Sequence, residues 1–179
     1  MALPTPYEKL WSQLESVRGD VLKEAQGLSQ AQADWRPAPE EWSVGEILDH
    51  LAVVEVSFGK LSSKLLKDAG EGPAPYPADL ATFPALPAFP PGPRNAPQGV
   101  WPSSGKPVAD LVSTLGSVRT RTRETFERVA SVDPRPHRWK HPAGLELDLS
   151  QIWQMQAAHD GDHLQQIRSV KAAAGFPRG

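Results

Sequence analysis

Two histidines four residues apart, His159 and His163, are the residues of this chain whose type and spacing most clearly permit chemistry. On a helix, side chains at this spacing lie on the same face, roughly 6 Å apart, so both imidazoles can reach one metal ion. The apolar residues around them, such as Ile152 and Ile167, follow the same spacing and place the pair on the inward face. A shared metal ion would satisfy both buried rings. The alternative is a dry core that holds two histidines.

A third histidine, His50, lies on another predicted helix. Ser43 and Glu46 have the spacing of a capping box, which indicates that a helix begins at Ser43. His50 falls between Ile47 and Val54 at helical spacing and therefore borders the apolar stripe of this helix. We nominate it as a third nitrogen ligand. Taken alone, it would be interpreted as a partly buried histidine.

Residues 41–51, EWSVGEILDHL, followed about a hundred residues later by residues 159–167, HDGDHLQQI, resemble the DinB-like (DinB/YfiT) superfamily of metalloenzymes. The likeness covers nearly the whole chain. It implies an all-α four-helix bundle in which one divalent metal ion is held by a histidine of the second helix and by the HxxxH pair of the last helix. These positions correspond to His50, His159 and His163, and all three are present in this sequence.

Polar residues beside the three histidines are candidates for supporting roles. Three aspartates are immediate sequence neighbours of the nominated ligands: Asp49, Asp160 and Asp162. Adjacent positions on a helix point about 100° apart, so we expect these aspartates to support the ligands or to face water. Glu46, one turn before His50, is better aimed, but its capping role competes. Gln156 and Gln166, each three residues from a histidine, are candidate pocket-lining groups.

A second histidine pair, His137 and His141, has the same spacing in a different setting. Three prolines interrupt this stretch and prevent a regular helix: Pro134, Pro136 and Pro142. The sequence instead predicts a loop that leads into a short hairpin through residues 143–145. We therefore expect both histidines at the surface. Trp139 and Trp42 are candidates for the wall of a pocket mouth.

Composition restricts the chemistry. The chain of 179 residues contains no cysteine, which excludes disulfides, thiolate metal ligands and a cysteine nucleophile. A thiol used in the reaction must therefore arrive with a substrate, and the available metal ligands are imidazoles and carboxylates, which suit Zn, Ni, Fe, Mn or Co. The 19 basic and 21 acidic residues give a net charge of −2 and no electrostatic reason to expect a nucleic-acid partner.

Four helices and one domain over residues 1–179 are expected to position these residues. The first predicted helix runs from Thr5 to just before Gly27 and the second from Ser43 to near Ala69. The third follows Pro107, and the fourth begins after Asp148 and Ser150 and continues to about Ala174. In the third of these we expect the arginines to face mostly outward: Arg119, Arg121, Arg123 and Arg128. No apolar run approaches the ~20 residues that span a bilayer and the N-terminus does not resemble a signal peptide, so we expect a cytoplasmic protein.

A proline-rich segment, residues 71–105, connects the second and third predicted helices and holds ten of the chain's 19 prolines. Prolines at this density prevent a helix and favour extended backbone. The segment is long enough to return along the bundle, so the third helix need not be antiparallel to the second, and the family resemblance implies this up-down-down-up order. Its aromatic residues suggest that it packs on the bundle, over the metal pocket or at a subunit interface. A ligand for an SH3-type domain is the alternative.

A three-histidine site leaves the +2 charge of a metal ion uncompensated and leaves coordination positions open, as in catalytic rather than structural sites. The resemblance implies thiol-dependent transferases and isomerases that use low-molecular-weight thiols such as bacillithiol or mycothiol, beside many members with no established activity. We therefore predict a metal-dependent S-transferase, with a small-molecule thiol and an electrophile as partners, no nucleic acid and no membrane, and we allow for a homodimer. The alternatives are a hydrolase that uses metal-bound hydroxide and a non-catalytic, stress-associated metal-binding protein.

Overall fold

The described part of the chain in this computed structural model, residues 2–70, 72–90 and 96–178, contains five α-helices. They are α1 (Thr5–Ala25), α2 (Gln30–Asp34), α3 (Val44–Asp68), α4 (Val108–Ala130) and α5 (Leu149–Ala172). A 3-10 helix covers Gln98–Val100, and two short strands, β1 (Arg138–Lys140) and β2 (Glu146–Asp148), form the predicted hairpin, with Trp139 opposite Leu147. The four long helices agree with the four predicted ones, and the short helix α2 was missed.

Local sequence explains where these helices begin. The helices α2, α3 and α5 each start with a complete capping box, formed by Ser29 with Gln32, Ser43 with Glu46, and Asp148 with Gln151. Each box satisfies backbone N–H groups that have no partner inside the helix. The helices α1 and α4 have no capping box. Each follows a proline, Pro4 or Pro107, whose nitrogen carries no hydrogen and therefore needs no acceptor at the helix start.

The interior divides into two apolar clusters along the bundle axis. The lower cluster contains the N-terminal halves of α1 and α5 with the end of α4: Tyr7, Leu10, Leu14, Phe126, Val129, Ala130, Val132, Leu147, Leu149, Ile152, Trp153, Met155 and Ala157. The upper cluster contains the opposite halves of the same helices with the start of α3: Val21, Ala25, Val44, Ile47, Leu48, Leu51, Ala52, Leu111, Leu115, Val118, Leu164, Ile167 and Val170.

Membership of these clusters fixes the helix directions. The helices α1 and α5 both begin in the lower cluster and end in the upper one, so they are parallel. The helices α3 and α4 run the other way, because their N-terminal residues lie in the upper cluster, whereas Phe58 and Leu61 of α3 and Phe126 of α4 lie in or against the lower one. The order is therefore up-down-down-up, as predicted, and the all-α bundle is confirmed.

The crossover between α3 and α4 packs along the bundle. At its start Tyr76 N donates to Ser131 O at 3.0 Å, beyond the end of α4. Further on, Gln151 and Gln154 of α5 donate to carbonyls of residues 85 and 84 at 2.9 and 3.0 Å. Three of its four aromatic residues pack against the lower cluster: Tyr76, Phe83 and Phe89. The fourth, Trp101, is 61% exposed. Glu71 and residues 91–95, which include two of the segment's ten prolines, lie outside the described residues.

None of the described helices combines the length and the apolar character that crossing a membrane requires.

Candidate metal centre

The structure brings the three nominated histidines together where α3 meets α5. His50 is buried on α3, and His159 and His163 are half-buried one turn apart on α5. One ring nitrogen from each residue lies within 4.8 Å of the others, and the Nε2 atoms of His50 and His159 are 3.1 Å apart. The three imidazoles therefore converge on one point.

Hydrogen bonds on the far side of two of these rings set which nitrogen faces that point. His50 Nδ1 donates to the Val100 carbonyl at 2.7 Å, and because a carbonyl only accepts, the Nε2 atom of His50 carries the lone pair. His163 Nδ1 donates to Gln166 Oε1 at 2.7 Å, which leaves its Nε2 free in the same way. Supporting bonds of this type orient histidine ligands in metalloproteins.

The third ring is supported differently. His159 Nδ1 is buried and has no hydrogen-bond partner among the described residues. The Asp160 Oδ1 atom lies 3.6 Å from it, slightly beyond hydrogen-bonding distance. The ring itself remains partly open to solvent, with a quarter of its side chain exposed.

Burial keeps two of these histidines in the neutral form that binds metal. It lowers the pKa of His50, and the hydrogen bond to Val100 opposes this only in part. Burial, reinforced by the nearby His159, lowers the pKa of His163 to about 4. Neutral imidazoles are the metal-binding form, so no proton has to be displaced from these two residues near pH 7.

The distance between the Nε2 atoms of His50 and His159 fits a divalent ion. Two nitrogens bound to one ion at about 2.0–2.1 Å lie roughly 3.3 Å apart in a tetrahedral arrangement and about 2.9 Å apart in an octahedral one. The observed 3.1 Å between His50 and His159 falls between these values. Because the lone pair of His50 lies on Nε2, His159 Nε2 donates to it in the absence of metal, and a metal ion bound between the two nitrogens would take the place of that proton. The three histidines could therefore hold a metal ion.

The carboxylates near the histidines are engaged elsewhere. Asp49 accepts from Ser103 N at 2.8 Å and from Lys106 Nζ at 2.6 Å. Glu46 accepts from the backbone of Ser43 in the capping box, as expected, and also pairs with Arg36. Both carboxylates thus fasten the start of α3 and the end of the crossover, and they are not part of the histidine group. Asp162 is exposed.

An aromatic ring borders the site. The Trp42 ring lies 4.7 Å from that of His50 and stacks on His163 at 6.0 Å between ring centroids. Trp42 is therefore placed as expected at the edge of the site. Trp139, the other candidate, instead packs against the lower cluster and His141.

The second histidine pair is not at this site, and one expectation about it was wrong. His137 is 8% exposed rather than at the surface, and its Nε2 has no hydrogen-bond partner among the described residues. His141 is half-buried between Phe89 and Trp139, and its Nδ1 accepts from Ala143 N at 3.0 Å. The burial follows from packing of the hairpin on the bundle, which the local sequence does not specify.

A group of buried charges directly behind the site was missed by sequence reasoning. This central ion network consists of Arg18 on α1, Glu55 on α3, Arg119 on α4 and Asp160 on α5. Arg18 lies 2.7 Å from Glu55 and 3.1 Å from Asp160, and Arg119 lies 2.8 Å from Glu55. Two positive and two negative charges therefore balance inside the bundle, between the lower and upper clusters.

The network corrects one expectation. Arg119 was expected to face outward, but it is 7% exposed, because Glu55 and Asp160 neutralise it. On α1, Arg18 is buried although its apolar neighbour Val17 is only half-buried. A signal was present, because Arg18 lies four residues after Leu14 and three before Val21, which are both core positions.

Asp160 belongs to the network and also borders the metal centre. It is fully buried, and its Oδ1 accepts from Gln156 Nε2 at 2.6 Å. Burial raises the pKa of Asp160, but the contact with His159 and the charges of Arg18 and Arg119 lower it by more, so the pKa lies below its ordinary value. Asp160 is therefore ionised at neutral pH.

Comparison with known proteins agrees with this arrangement. The sequence model of the DinB superfamily matches residues 13–167, a span that contains all three histidines. The uncharacterised protein YuaE of Bacillus subtilis (strain 168) is 27% identical over an alignment of 168 positions, and the match covers 86% of this chain and 92% of YuaE. No solved structure matches the chain significantly. The extent of the superfamily match, together with the helix order and the histidine triad, shows that the chain belongs to the DinB superfamily.

Proposed function

We propose that the protein binds one divalent metal ion through His50, His159 and His163 and acts as a metal-dependent S-transferase on small electrophiles. The observation that carries this proposal is that three imidazoles converge on one point without a carboxylate among them. Such a ligand set leaves the charge of the ion uncompensated, which favours an anionic partner. The imidazoles suit Zn, Ni, Fe, Mn or Co.

A thiolate is the anion that a metal ion at this site would form most readily. A bound divalent ion would supply positive charge that lowers the pKa of a thiol or of water. A thiol needs the smaller lowering to ionise at neutral pH, since free thiols have a pKa of about 8.5 and water one of about 15.7. The thiol must come from outside, because the chain has no cysteine. In the transfer, sulfur forms a bond to carbon of the electrophile, the leaving group departs and the thiol proton goes to solvent.

The chain's own residues would position these partners. Val100 and Gln166 orient the rings of His50 and His163, and Trp42 shields one side of both. The partly exposed ring of His159 marks the side open to solvent. A small thiol and a small electrophile can approach from this side.

Hydrolysis is the weaker candidate. A hydrolase would gain from a carboxylate that accepts a proton from attacking water. Glu46 and Asp49 are instead occupied by Ser43, Arg36, Ser103 and Lys106. A non-catalytic metal-binding role is disfavoured by the open side of the site, because a purely structural site is normally closed by a fourth protein ligand.

Metal content tests the first half of the proposal. Wild-type protein reloaded with metal and dialysed should hold about one divalent ion per chain, and His159→Ala or His163→Ala should lose most of it, because only two nitrogens remain. His137→Ala is the matched control, since it removes a buried histidine that is not part of the triad. Equal metal content in wild type and both triad variants would show that the metal centre is wrong.

Thiol binding tests the second half. Adding a low-molecular-weight thiol to cobalt-loaded protein should produce a near-ultraviolet charge-transfer band that reports sulfur at the ion, with no cysteine of the chain to confuse it. Turnover of an electrophile should require both metal and thiol and should vanish in His50→Ala. Activity that persists without thiol would favour hydrolysis, and a panel of thiols with neither band nor turnover would rule out the transferase.

A further inference from the structure

Among the described residues, the His159 ring lacks the hydrogen-bond acceptor that supports each of the other two rings. If Nε2 of His159 faces the ion, its remaining proton lies on Nδ1, and a buried N–H requires an acceptor. His50 and His163 have such acceptors in Val100 and Gln166. His159 Nδ1 has no hydrogen-bond partner among the described residues, and Asp160 Oδ1 is 3.6 Å away. An approach of about half an ångström would complete the bond.

The Asp160 carboxylate is held from three helices. Its Oδ2 faces Arg18 of α1 at 3.1 Å and Arg119 of α4 at 3.5 Å. Its Oδ1 accepts from Gln156 of α5 at 2.6 Å and retains a lone pair on the side of His159. A carboxylate fixed in this way presents a defined acceptor, whereas a solvated one would rotate.

We propose that Asp160 is the positioning residue of His159: its Oδ1 accepts the Nδ1 proton of the ring and directs Nε2 to the metal, while Arg18, Arg119 and Gln156 hold the carboxylate in place. The inference rests on the proposed metal centre and assigns to the central ion network a task within it. Carboxylates that support histidine ligands in this way raise ligand basicity and fix the ring.

The substitution Asp160→Asn tests this role with little change in volume. Asparagine offers one oxygen and one NH2 group in place of two oxygens. The two arginines on the Oδ2 side attract the oxygen, so the NH2 group faces Gln156 and His159. The acceptor that His159 needs then becomes a donor.

Glu55→Gln is the matched control. It removes one negative charge from the same buried network and pairs with the same two arginines, but among the described residues no hydrogen bond or ion pair joins Glu55 to His159. Zinc affinity, measured by competition with a chromophoric chelator, should fall about 10- to 100-fold in Asp160→Asn and stay within about threefold in Glu55→Gln. Unchanged affinity in Asp160→Asn, or an equal loss in both variants, would overturn the assignment.

A measurement on wild-type protein does not depend on any variant folding. In zinc-loaded protein, nuclear magnetic resonance should show slowly exchanging Nδ1 protons on all three histidines, because each has a hydrogen-bond acceptor: Val100, Gln166 and, by this proposal, Asp160. His50 and His163 serve as internal controls. A rapidly exchanging Nδ1 proton on His159 alone would refute the role of Asp160 and leave the metal centre intact.

The same method separates the two proposals if wild-type protein takes up no zinc. The metal centre would then be wrong, and the role of Asp160 would be judged in metal-free protein from nuclear Overhauser contacts of the His159 ring. A single ring orientation in wild type and Glu55→Gln, lost in Asp160→Asn, would support positioning by Asp160. A ring that is equally ordered or equally mobile in all three would contradict it.

Discussion

The lower cluster and the central ion network lie side by side in one bundle and bury opposite kinds of side chain. The lower cluster is built around aromatic rings, with Phe126 in contact with Tyr7, Trp11 and Trp153 at centroid distances of 5.1–5.4 Å. The ion network buries two arginines and two carboxylates. Apolar burial of the first kind stabilises a fold directly, whereas buried ion pairs are often no better than apolar residues of the same volume.

The contrast separates stability from function within the molecule. The histidine triad borders the ion network through Asp160 and does not touch the aromatic part of the lower cluster. Changes in the lower cluster should therefore alter the free energy of unfolding and leave metal binding intact. Changes in the network should alter the free energy of unfolding, and a change at Asp160 should alter metal binding as well.

The largest effect is expected from Phe126→Ala. Removing this fully buried ring leaves a cavity among three aromatic neighbours and should lower the free energy of unfolding by about 4 kcal/mol. Urea unfolding measures the loss, and elemental analysis of the folded variant should show unchanged metal content. Loss of metal from a variant that is still folded would show that the lower cluster and the metal centre are not independent.

A somewhat smaller loss is expected from Arg18→Met, which leaves Glu55 and Asp160 with a single arginine. The unfolding free energy should fall on the order of 3 kcal/mol, because a buried charge becomes uncompensated. The double variant Arg18→Met/Glu55→Leu restores charge balance and should be less destabilised than the sum of the single variants. Additive losses would show that the charges act independently.

Acidification should weaken the metal-free protein by a smaller amount. The pKa of His163 is about 4 in the folded state, below its ordinary value of 6.5, so between these values the unfolded chain binds more protons than the folded one. Stability therefore falls as the pH is lowered from 6.5 to 4. Melting temperatures of metal-free protein, measured with chelator at several pH values, give the slope of stability against pH. This slope should be shallower in His163→Ala. Equal slopes would indicate that His163 titrates normally.

The smallest effect is expected from Tyr7→Phe in the lower cluster. The Tyr7 hydroxyl is buried without a hydrogen-bond partner among the described residues, and burial raises its pKa. Its removal should change the unfolding free energy by less than about 1 kcal/mol, in either direction. Chemical denaturation provides the test, and a loss near 2 kcal/mol would reveal a partner for the hydroxyl.

The features that sequence predicted are those encoded locally. Helix starts follow from capping residues such as Ser43 and Asp148, and the helix faces follow from apolar spacing. The triad could be nominated because HxxxH spacing places two imidazoles on one face of a helix, and the family resemblance supported the nomination of His50 as the third ligand. The helix α2 was missed although Ser29 and Gln32 form a capping box, because five residues are too few to show a period.

The features that sequence did not predict depend on several helices at once. Arg119 is inward because Glu55 and Asp160 come from two other helices to meet it; its spacing from Leu115 and Thr122 permits an inward position, but nothing within α4 shows that these partners are present. The support of His50 comes from the carbonyl of Val100, and a backbone carbonyl has no residue-type signature. Contacts of this kind become visible only when the elements are assembled.

The attachment of the crossover to His50 limits how chain length can vary in this protein. Val100 contacts His50, and Ser103 and Lys106 contact Asp49 just before α4 begins at Val108. An insertion within residues 100–107 would therefore displace a hydrogen bond of the metal centre. Surface loops elsewhere accept extra residues at small entropic cost. We expect natural length variation to concentrate before residue 97, so that the crossover can lengthen while its last stretch stays fixed.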